Sequence, residues 1–190
     1  MKKYTALDLL FETGLRHMYQ AEKAIFKNLY TMADAASVSA LKNLFVKHQL
    51  ETERQIKRLE SIFRLLEIDP SASKLQGLPG IGAKTKELLK TLADLNFSDR
   101  SKGIDGILSE GDELLRHFAK TDANEFALVS AGQKVEHFEI ACYSSLSLLA
   151  EKYETQEIVD LLEESLGEEI DMEERISEFA ETQLDALLPT

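Results

Sequence analysis

The sequence predicts an all-α protein built on an antiparallel four-helix bundle. Four long segments repeat apolar residues at spacings of three and four, which places them on one face of an α-helix. The 190 residues include only three prolines and nine glycines, and so few helix breakers favour long helices over many short strands. The length suffices for one hydrophobic core, so we expect a single domain over residues 1–190.

The first helix is predicted to begin at Thr5, a capping residue, with Asp8 near the positive end of the helix dipole. Its apolar face comprises Leu7, Leu10, Phe11, Leu15, Met18, Ile25, Phe26, Leu29 and Met32. Glu22 fills the gap in this face between Met18 and Ile25. A charged side chain therefore stands where the core-facing stripe should continue.

The second helix is predicted to follow Ser37 or Ser39 and to end before Asp69 and Pro70. Its apolar face comprises Leu41, Leu44, Phe45, Leu59, Ile62, Phe63 and Leu66. Midway along the helix, the same face carries His48, Glu51, Thr52 and Gln55. Polar groups again occupy core-facing positions at mid-helix.

Residues 70–120 are predicted to form a helical connection between the second and third long helices. This segment holds two of the three prolines and the glycine-rich run 77–82. Short helices are expected over about residues 84–95 and 103–118. A connection of this length can cross the bundle, which allows a ferritin-like arrangement instead of a simple up-down-up-down one.

The third long helix is predicted to begin after Asp122, with Glu125 completing a capping box, and to run to about Lys152. Its core-facing stripe comprises Phe126, Val129, Gln133, Ile140, Tyr143, Ser147 and Ala150. Glu136 falls on this stripe, and Glu139 flanks it one turn later. This helix also carries carboxylates where apolar side chains are expected.

The fourth long helix is predicted to begin after Thr155 and to run towards residues 188–189. Its apolar face comprises Ile158, Leu161, Leu162, Leu166, Ile176, Phe179 and Ala180. Glu169, Met172 and Glu173 lie between the two halves of this face. The core side is therefore polar at mid-length for the fourth time.

The acidic composition limits the classes of function. A formal net charge of -12 repels nucleic-acid phosphates and anionic membranes, so general nucleic-acid binding and membrane docking are not expected. No stretch approaches the ~20 apolar residues of a membrane span, and the first residues lack the apolar run of a signal peptide. A cytoplasmic location is the expectation. Cys142, the single cysteine, is interpreted as a small buried hydrophobe.

Acidic and imidazole side chains at mid-length on all four helices predict a metal site in the bundle core. A buried, unpaired carboxylate is strongly unfavourable, and a pair of divalent cations would offset four of them at one level. Oxygen and imidazole ligands suit iron or manganese, with zinc as a further candidate. Bridging carboxylates can hold two ions per chain. The candidate ligands are Glu22, His48, Glu51, Glu136, Glu139, Glu169 and Glu173.

Less specific interpretations of these residues stay open. Most Glu side chains of an acidic helical protein lie on solvated faces, and a polar core that is hydrated or internally paired would mark a structural or interaction protein. His137 points about 100° away from the preceding residue on an ideal helix, so it is not expected among the ligands. We interpret His17 and His117 as surface or packing residues, and packing is also the commoner role for Tyr19 and Tyr143.

Four stretches of the chain carry a family resemblance. They are residues 10–15, residues 19–23 (Tyr-Gln-Ala-Glu-Lys), residues 48–53 (His-Gln-Leu-Glu-Thr-Glu) with Gln55, Arg58 and Leu59, and, most specifically, residues 133–141 (Gln-Lys-Val-Glu-His-Phe-Glu-Ile-Ala) with Tyr143. Together they resemble the YciE/YciF family, bacterial ferritin-like proteins of unknown biochemical activity associated with stress responses. The resemblance covers most of the chain and implies a ferritin-like bundle, homodimers and a dinuclear metal site. The chain departs from the wider ferritin-like pattern, since His48 precedes Glu51 in reverse order and the fourth helix has no His.

Residues 79–100 look like an insertion relative to that family. Residues 78–84 resemble the hairpin of a helix-hairpin-helix DNA-binding motif, in which glycine amides at a helix start hold a phosphate. Gly80 and Gly82 would form the hairpin, and Lys84 and Lys86 would add positive charge. The alternative is a plain Gly-Pro turn before a helix, which the acidity of the chain favours.

We therefore expect a ferritin-like protein that binds two divalent cations and acts on small oxygen species. The principal ligands would be Glu22, Glu51, Glu136 and Glu169, with His48 as the nitrogen donor. The alternatives are a non-enzymatic structural or interaction protein and, third, a DNA-associated protein that uses the hairpin.

Overall fold

The computed structural model describes residues 5–70, 101–153 and 156–183. Over these residues the chain forms five α-helices and one 3₁₀ turn at Glu151–Tyr153, and no β-strand occurs among them. The helices are α1 (Ala6–Ala35), α2 (Ser39–Leu65), α3 (Lys102–Phe118), α4 (Asn124–Ala150) and α5 (Gln156–Gln183). The all-α prediction is confirmed.

Helices α1, α2, α4 and α5 form the four-helix bundle. Both α1 and α5 pack against α2 and α4. Asn124 at the start of α4 donates a hydrogen bond to the carbonyl of Ala35 at the end of α1, at 3.0 Å, so these helices are antiparallel. Lys47 near the start of α2 pairs with Asp171 late in α5, at 3.2 Å, so this pair is antiparallel too. Helices α1 and α5 therefore run one way and α2 and α4 the other, which is the ferritin-like order.

Helix α3 carries the chain back along the outside of the bundle. Because α2 and α4 run in the same direction, the connection between them must cover the length of the bundle. On α3, Glu110 pairs with Lys134 of α4 at 2.6 Å, and Asp112 accepts a hydrogen bond from Asn28 of α1 at 3.2 Å. The helix predicted over about 103–118 is confirmed. The helix predicted over 84–95, the hairpin and the 79–100 insertion lie outside the described residues.

The predicted start of the first helix is confirmed by a capping box. The Asp8 amide donates to Thr5 Oγ1 at 3.3 Å, and the Thr5 amide donates to Asp8 Oδ2 at 2.5 Å. The capping box predicted for Glu125 is wrong, because α4 begins at Asn124 without a side-chain cap. The Glu125 carboxylate instead accepts the Ser37 amide at 2.8 Å, an N–H group in the α1–α2 turn that no helix satisfies.

Helix α2 ends in a Schellman motif that does not use glycine. Glu67 adopts a left-handed backbone conformation with φ 56°. Its amide donates to the Arg64 carbonyl at 3.1 Å, and the Ile68 amide donates to the Phe63 carbonyl at 2.9 Å. Ile68 is itself buried, so the chain turns back against the core at this point.

Two apolar layers enclose a polar layer at the middle of the bundle. The layer near the α1–α2 turn comprises Leu29, Met32, Leu41, Phe45, Leu128, Ile176 and Phe179. The layer at the opposite end comprises Leu15, Met18, Leu59, Ile62, Leu146 and Leu162. Between them the buried side chains include carboxylates, an imidazole, an amide and hydroxyls, beside apolar groups such as Ile25 and Met172. None of the described helices combines the length and apolar character needed to cross a bilayer.

Candidate metal centre

Each bundle helix directs a chemically active side chain into the polar layer. Glu22 comes from α1, His48 from α2, Glu136 and Glu139 from α4, and Glu169 from α5, and each is at most 1% exposed. On α4 the spacing of three directs both carboxylates to the same side of the helix. The four helices meet at mid-length, so residues as far apart in the sequence as Glu22 and Glu169, 147 positions, are buried in the same layer.

The imidazole of His48 lies at the centre of the carboxylates. Its Nδ1 atom is 2.8 Å from Glu136 Oε1, and its Nε2 atom is 3.2 Å from Glu169 Oε2 and 3.5 Å from Glu139 Oε2. One ligand atom from each of these four residues lies within 4.8 Å of all the others. A buried cluster of this size and composition can hold a metal ion.

These short contacts are ion pairs when His48 is charged, but their geometry is not that of hydrogen bonds. Both imidazole nitrogens, and both oxygens of Glu136 and of Glu139, lack a hydrogen-bond partner among the described residues. Buried polar atoms are paired in the great majority of cases, so each exception requires a reason. A cation bound among these atoms would displace the proton of the imidazole and give the buried oxygens a partner.

Glu22 and Glu169 differ from the other carboxylates because one oxygen of each is already engaged. The Tyr143 hydroxyl donates to Glu22 Oε1, and the Gln55 amide donates to Glu169 Oε1. The Oε2 atom of each carboxylate is buried and has no partner among the described residues. Tyr143 therefore lines the polar layer, which the sequence left open beside the commoner packing role, because its buried hydroxyl reaches Glu22.

Comparison with known proteins places the chain in a family. The family described as a domain of unknown function (DUF892) matches residues 6–100 and 93–188. The chain belongs to the DUF892 family. This DUF892 protein is 30% identical over 166 residues to Protein YciF of Escherichia coli (strain K12), which is 87% of this chain and 85% of that protein. The YciE/YciF resemblance inferred from the sequence is confirmed.

Solved structures share the fold over nearly the whole length. The crystal structure of the E. coli stress protein YciF matches with a TM-score of 0.71 at 27% identity, covering 94% of this chain and 97% of that one. YcfI from Rhodopseudomonas palustris matches with a TM-score of 0.70 at 29% identity, covering 92% and 94%. A protein from Xanthomonas campestris pv. campestris matches with a TM-score of 0.65 at 20% identity, covering 96% of both chains, and shows the fold alone.

Burial perturbs the acid–base chemistry of the cluster in this DUF892 protein. Burial, together with the charge of Glu169, raises the pKa of Glu22 well above its ordinary value, although the Tyr143 hydrogen bond opposes this shift. Burial also raises the pKa of Glu139 well above its ordinary value and that of Glu136 to about 7. These three carboxyl groups thus resist carrying negative charge in the buried interior.

His48 responds in the opposite direction. Burial alone would lower the pKa of its imidazole, but the adjacent Glu136 and Glu169 raise it well above its ordinary value. Among the described residues, His48 is the only cationic side chain within 4 Å of the clustered carboxylates. A single imidazolium cannot neutralise four carboxylates, so the remaining balance must come from bound protons or from cations.

The other two candidate ligands lie at the margin of the cluster. Glu51 is buried, but its Oε1 atom faces Lys47 at 2.8 Å and Arg54 at 3.7 Å. Its Oε2 atom is buried without a hydrogen-bond partner in the described part of the chain. Glu173 is partly exposed and accepts a hydrogen bond from Ser177 at 2.7 Å. Neither residue belongs to the group of four whose ligand atoms lie within 4.8 Å of one another, and Glu22 lies outside that group too, although it is buried in the same layer.

The remaining histidines lie away from the cluster. His137 is exposed, as its position after Glu136 on the helix predicts, and His117 is exposed with Nδ1 2.8 Å from the Glu113 carbonyl. Tyr19 donates to Glu60 at 3.0 Å and does not join the polar layer. Sequence reasoning noted Gln55 as polar but gave it no role. Its signal was the spacing of seven from His48, which places both side chains on the same helix face.

Proposed function

We propose that this protein is a ferritin-like metal protein that holds two divalent cations in the polar layer of its bundle. The observation that supports the proposal is the convergence of buried carboxylate and imidazole atoms that have no hydrogen-bond partners. Glu22, Glu136, Glu139 and Glu169 carry four negative charges when ionised. Two divalent cations carry four positive charges, so a dinuclear site would be neutral with an uncharged His48.

The carboxylates divide into two kinds by the state of their oxygens. Neither Glu136 nor Glu139 has an oxygen held by a hydrogen bond from the described residues, which would suit carboxylates that bridge two ions. Glu22 and Glu169 each have one oxygen held by a neighbour, which suits ligands that bind one ion through the free Oε2 atom. His48 would supply the nitrogen donor, and Glu51 remains a further candidate through its free Oε2 atom.

The donor set favours particular metals and a class of chemistry. Oxygen and imidazole donors without thiolate suit iron or manganese, with zinc also compatible. Iron or manganese held by these residues would supply redox chemistry towards a small oxygen species. The chain's own contribution is to hold the ligands: Tyr143 fixes Glu22, Gln55 fixes Glu169, and the flanking apolar layers limit the access of water.

The proposed cellular role follows from the family. The E. coli relative YciF is named a stress protein, and we extend that role to this chain as a response that involves oxygen species. A homodimer in the cytoplasm remains our expectation for the working form. A structural or interaction protein whose polar core holds protons instead of metal is the alternative, and metal binding separates the two.

The decisive experiment measures metal stoichiometry. The protein would be prepared without a chelating tag, treated with EDTA and dialysed anaerobically against Fe(II) or Mn(II), and bound metal would be counted by mass spectrometry. We expect about two ions per chain, and a strong reduction in Glu139→Gln, since that carboxylate faces His48 and has both oxygens free. Glu174→Gln, an exposed position on α5, is the matched control and should bind as the unmodified chain does.

The outcomes distinguish the functions. Stoichiometric binding that depends on Glu139 supports the metal protein, and oxygen consumption on Fe(II) loading would then establish redox activity. Absence of tight binding by the unmodified chain would refute the metal proposal and leave the structural or interaction protein.

A further inference from the structure

Gln55 lies between two consecutive carboxylates of helix α5. Its side chain is fully buried. Its amide nitrogen donates to Glu169 Oε1 and, at 3.1 Å, to Glu168 Oε2. Glu169 faces the polar layer, whereas Glu168 is directed towards α2 at the surface of the bundle. Gln55 therefore joins the candidate metal ligand to a residue outside the cluster.

The chemistry of the amide fixes its orientation. A glutamine amide has two N–H donors and one carbonyl acceptor, and here both donors are directed at carboxylate oxygens. The flipped amide would place its carbonyl oxygen against the oxygens of Glu168 and Glu169, which is repulsive. The Gln55 Oε1 atom consequently points away from both, and it is buried without a partner among the described residues.

Glu168 is anchored by two arginines. Arg58 donates to its two oxygens at 2.7 Å and 3.0 Å, and Arg54 donates at 3.1 Å. Burial alone would raise the pKa of Glu168, but the hydrogen bonds from these arginines lower it below its ordinary value. Arg58 also binds Glu164 at 2.5 Å, and the Glu164 side chain is 60% exposed. A continuous chain of contacts thus runs from solvent to the cluster.

We propose that Gln55 is a positioning residue for the metal site. Gln55 holds Glu169 Oε1, so that Glu169 binds metal through Oε2 alone. The Arg58–Glu168 ion pair anchors Gln55 in this position. The Glu169 Oε2 atom is the one that faces His48, at 3.2 Å. Without the amide, the Glu169 carboxylate is free to rotate about its terminal bond or to bind through both oxygens. This inference rests on the proposed metal function. It adds that Gln55 determines how the ligand Glu169 binds the metal.

The first test replaces Gln55 by Met, which has similar volume and no donors. We expect a 10–100-fold loss of Mn(II) affinity by calorimetry, the range found when groups that orient a ligand are removed. The absorption spectrum of bound Co(II) should also change, because a change in the binding mode of Glu169 alters the ligand field. Gln49→Met is the matched control, since it makes the same change on α2 but at an amide that donates to the Phe26 carbonyl of α1, at 3.0 Å. It should leave both measurements unchanged.

The second test asks whether Arg58 acts through Gln55. Arg58→Met should weaken Mn(II) binding in the unmodified background and have little further effect in Gln55→Met, so that the double-mutant cycle shows coupling. If Gln55→Met does not fold, Gln55→Asn tests the same contact, because the shortened amide cannot span both carboxylates.

The two proposals can fail separately. If the unmodified chain binds no Mn(II), the metal function itself is refuted. If it binds two ions and the Gln55 variants leave both the affinity and the Co(II) spectrum unchanged, the metal function stands and the positioning role is refuted.

Discussion

Replacing Glu136 by Gln should stabilise the metal-free protein and weaken its response to metal. Burial holds the pKa of Glu136 at about 7 instead of 4.5. One pKa unit corresponds to about 1.36 kcal/mol, so at pH 8 the folded state pays about 3 kcal/mol to ionise this group, relative to the unfolded chain. The amide has the same shape without the charge. We expect the free energy of unfolding at pH 8 to rise by about 1–3 kcal/mol, the lower value allowing for imperfect hydrogen bonds.

The sign of the pH dependence follows from linkage. Between pH 4.5 and about 7 the folded protein keeps a proton on Glu136 that the unfolded chain releases, so stability falls as the pH rises through this window. At pH 5 the substitution should therefore change little. His48 acts in the same direction, because its raised pKa gives stability that is present below 6.5 and is lost as the pH rises through the folded-state value.

The assay is urea denaturation at pH 5 and pH 8, after EDTA treatment and again with Mn(II). One bound metal ion at ~100 times its dissociation constant adds about 2.7 kcal/mol to the free energy of unfolding. With Mn(II) present, the unmodified protein should therefore become more stable than Glu136→Gln. Glu174→Gln is the control, and we expect it to change the free energy of unfolding by less than about 0.5 kcal/mol. Destabilisation of metal-free Glu136→Gln at pH 8, or an equal effect at both pH values, would refute the electrostatic reasoning.

Four further predictions concern single positions. Tyr143→Phe should lower the free energy of unfolding by about 1–3 kcal/mol in urea denaturation, because Glu22 Oε1 loses its donor in a buried site; no change would show that the hydroxyl is dispensable. Gly167→Ala should raise Tm, since nothing lies within 4 Å of the added Cβ and helical alanine is favoured by about 0.5–1 kcal/mol. Gly132→Ala should lower Tm, because its Cβ would lie 3.3 Å from Phe45 Cε1; equal shifts in the two alanine variants would contradict the packing argument. Burial raises the pKa of Cys142 to about 11, so only about one thiol in a thousand is ionised at pH 8. Cys142 should therefore react with iodoacetamide at pH 8 far more slowly in the folded protein than in the urea-unfolded chain, and similar rates would contradict this reasoning.

The metal site and the stability of the bundle oppose each other in the absence of metal. Buried carboxylates without partners weaken the fold, yet the same groups form the candidate ligand set. Glu136→Gln and Glu139→Gln should therefore separate stability from metal affinity, as stabilising changes at functional sites commonly do.

The fold was largely predictable because it depends on local patterns. Apolar spacings of three and four give the helices, and the Thr5 capping box marks the start of α1. The length of the connection after α2 allowed the ferritin-like order, which α3 completes by running back along α4. The prediction of a capping box at Glu125 was wrong because a carboxylate near a helix start has several backbone amides within reach. The amide that Glu125 binds belongs to Ser37, which only the packing of the α1–α2 turn brings close to it.

The interruption of four apolar stripes by polar groups at mid-helix can be read from the residue spacing along each segment. Which of these groups meet depends on how the four helices pack against one another. Glu51 and Glu173 share helix faces with His48 and Glu169, but nearby Lys47 and Ser177 engage them at the margin of the cluster. The hydrogen bonds of Gln55 and Tyr143 likewise depend on how neighbouring helices are rotated and how closely they approach. Tyr143 and Glu22 are 121 positions apart, and the residue spacing within one helix cannot predict a contact between two helices.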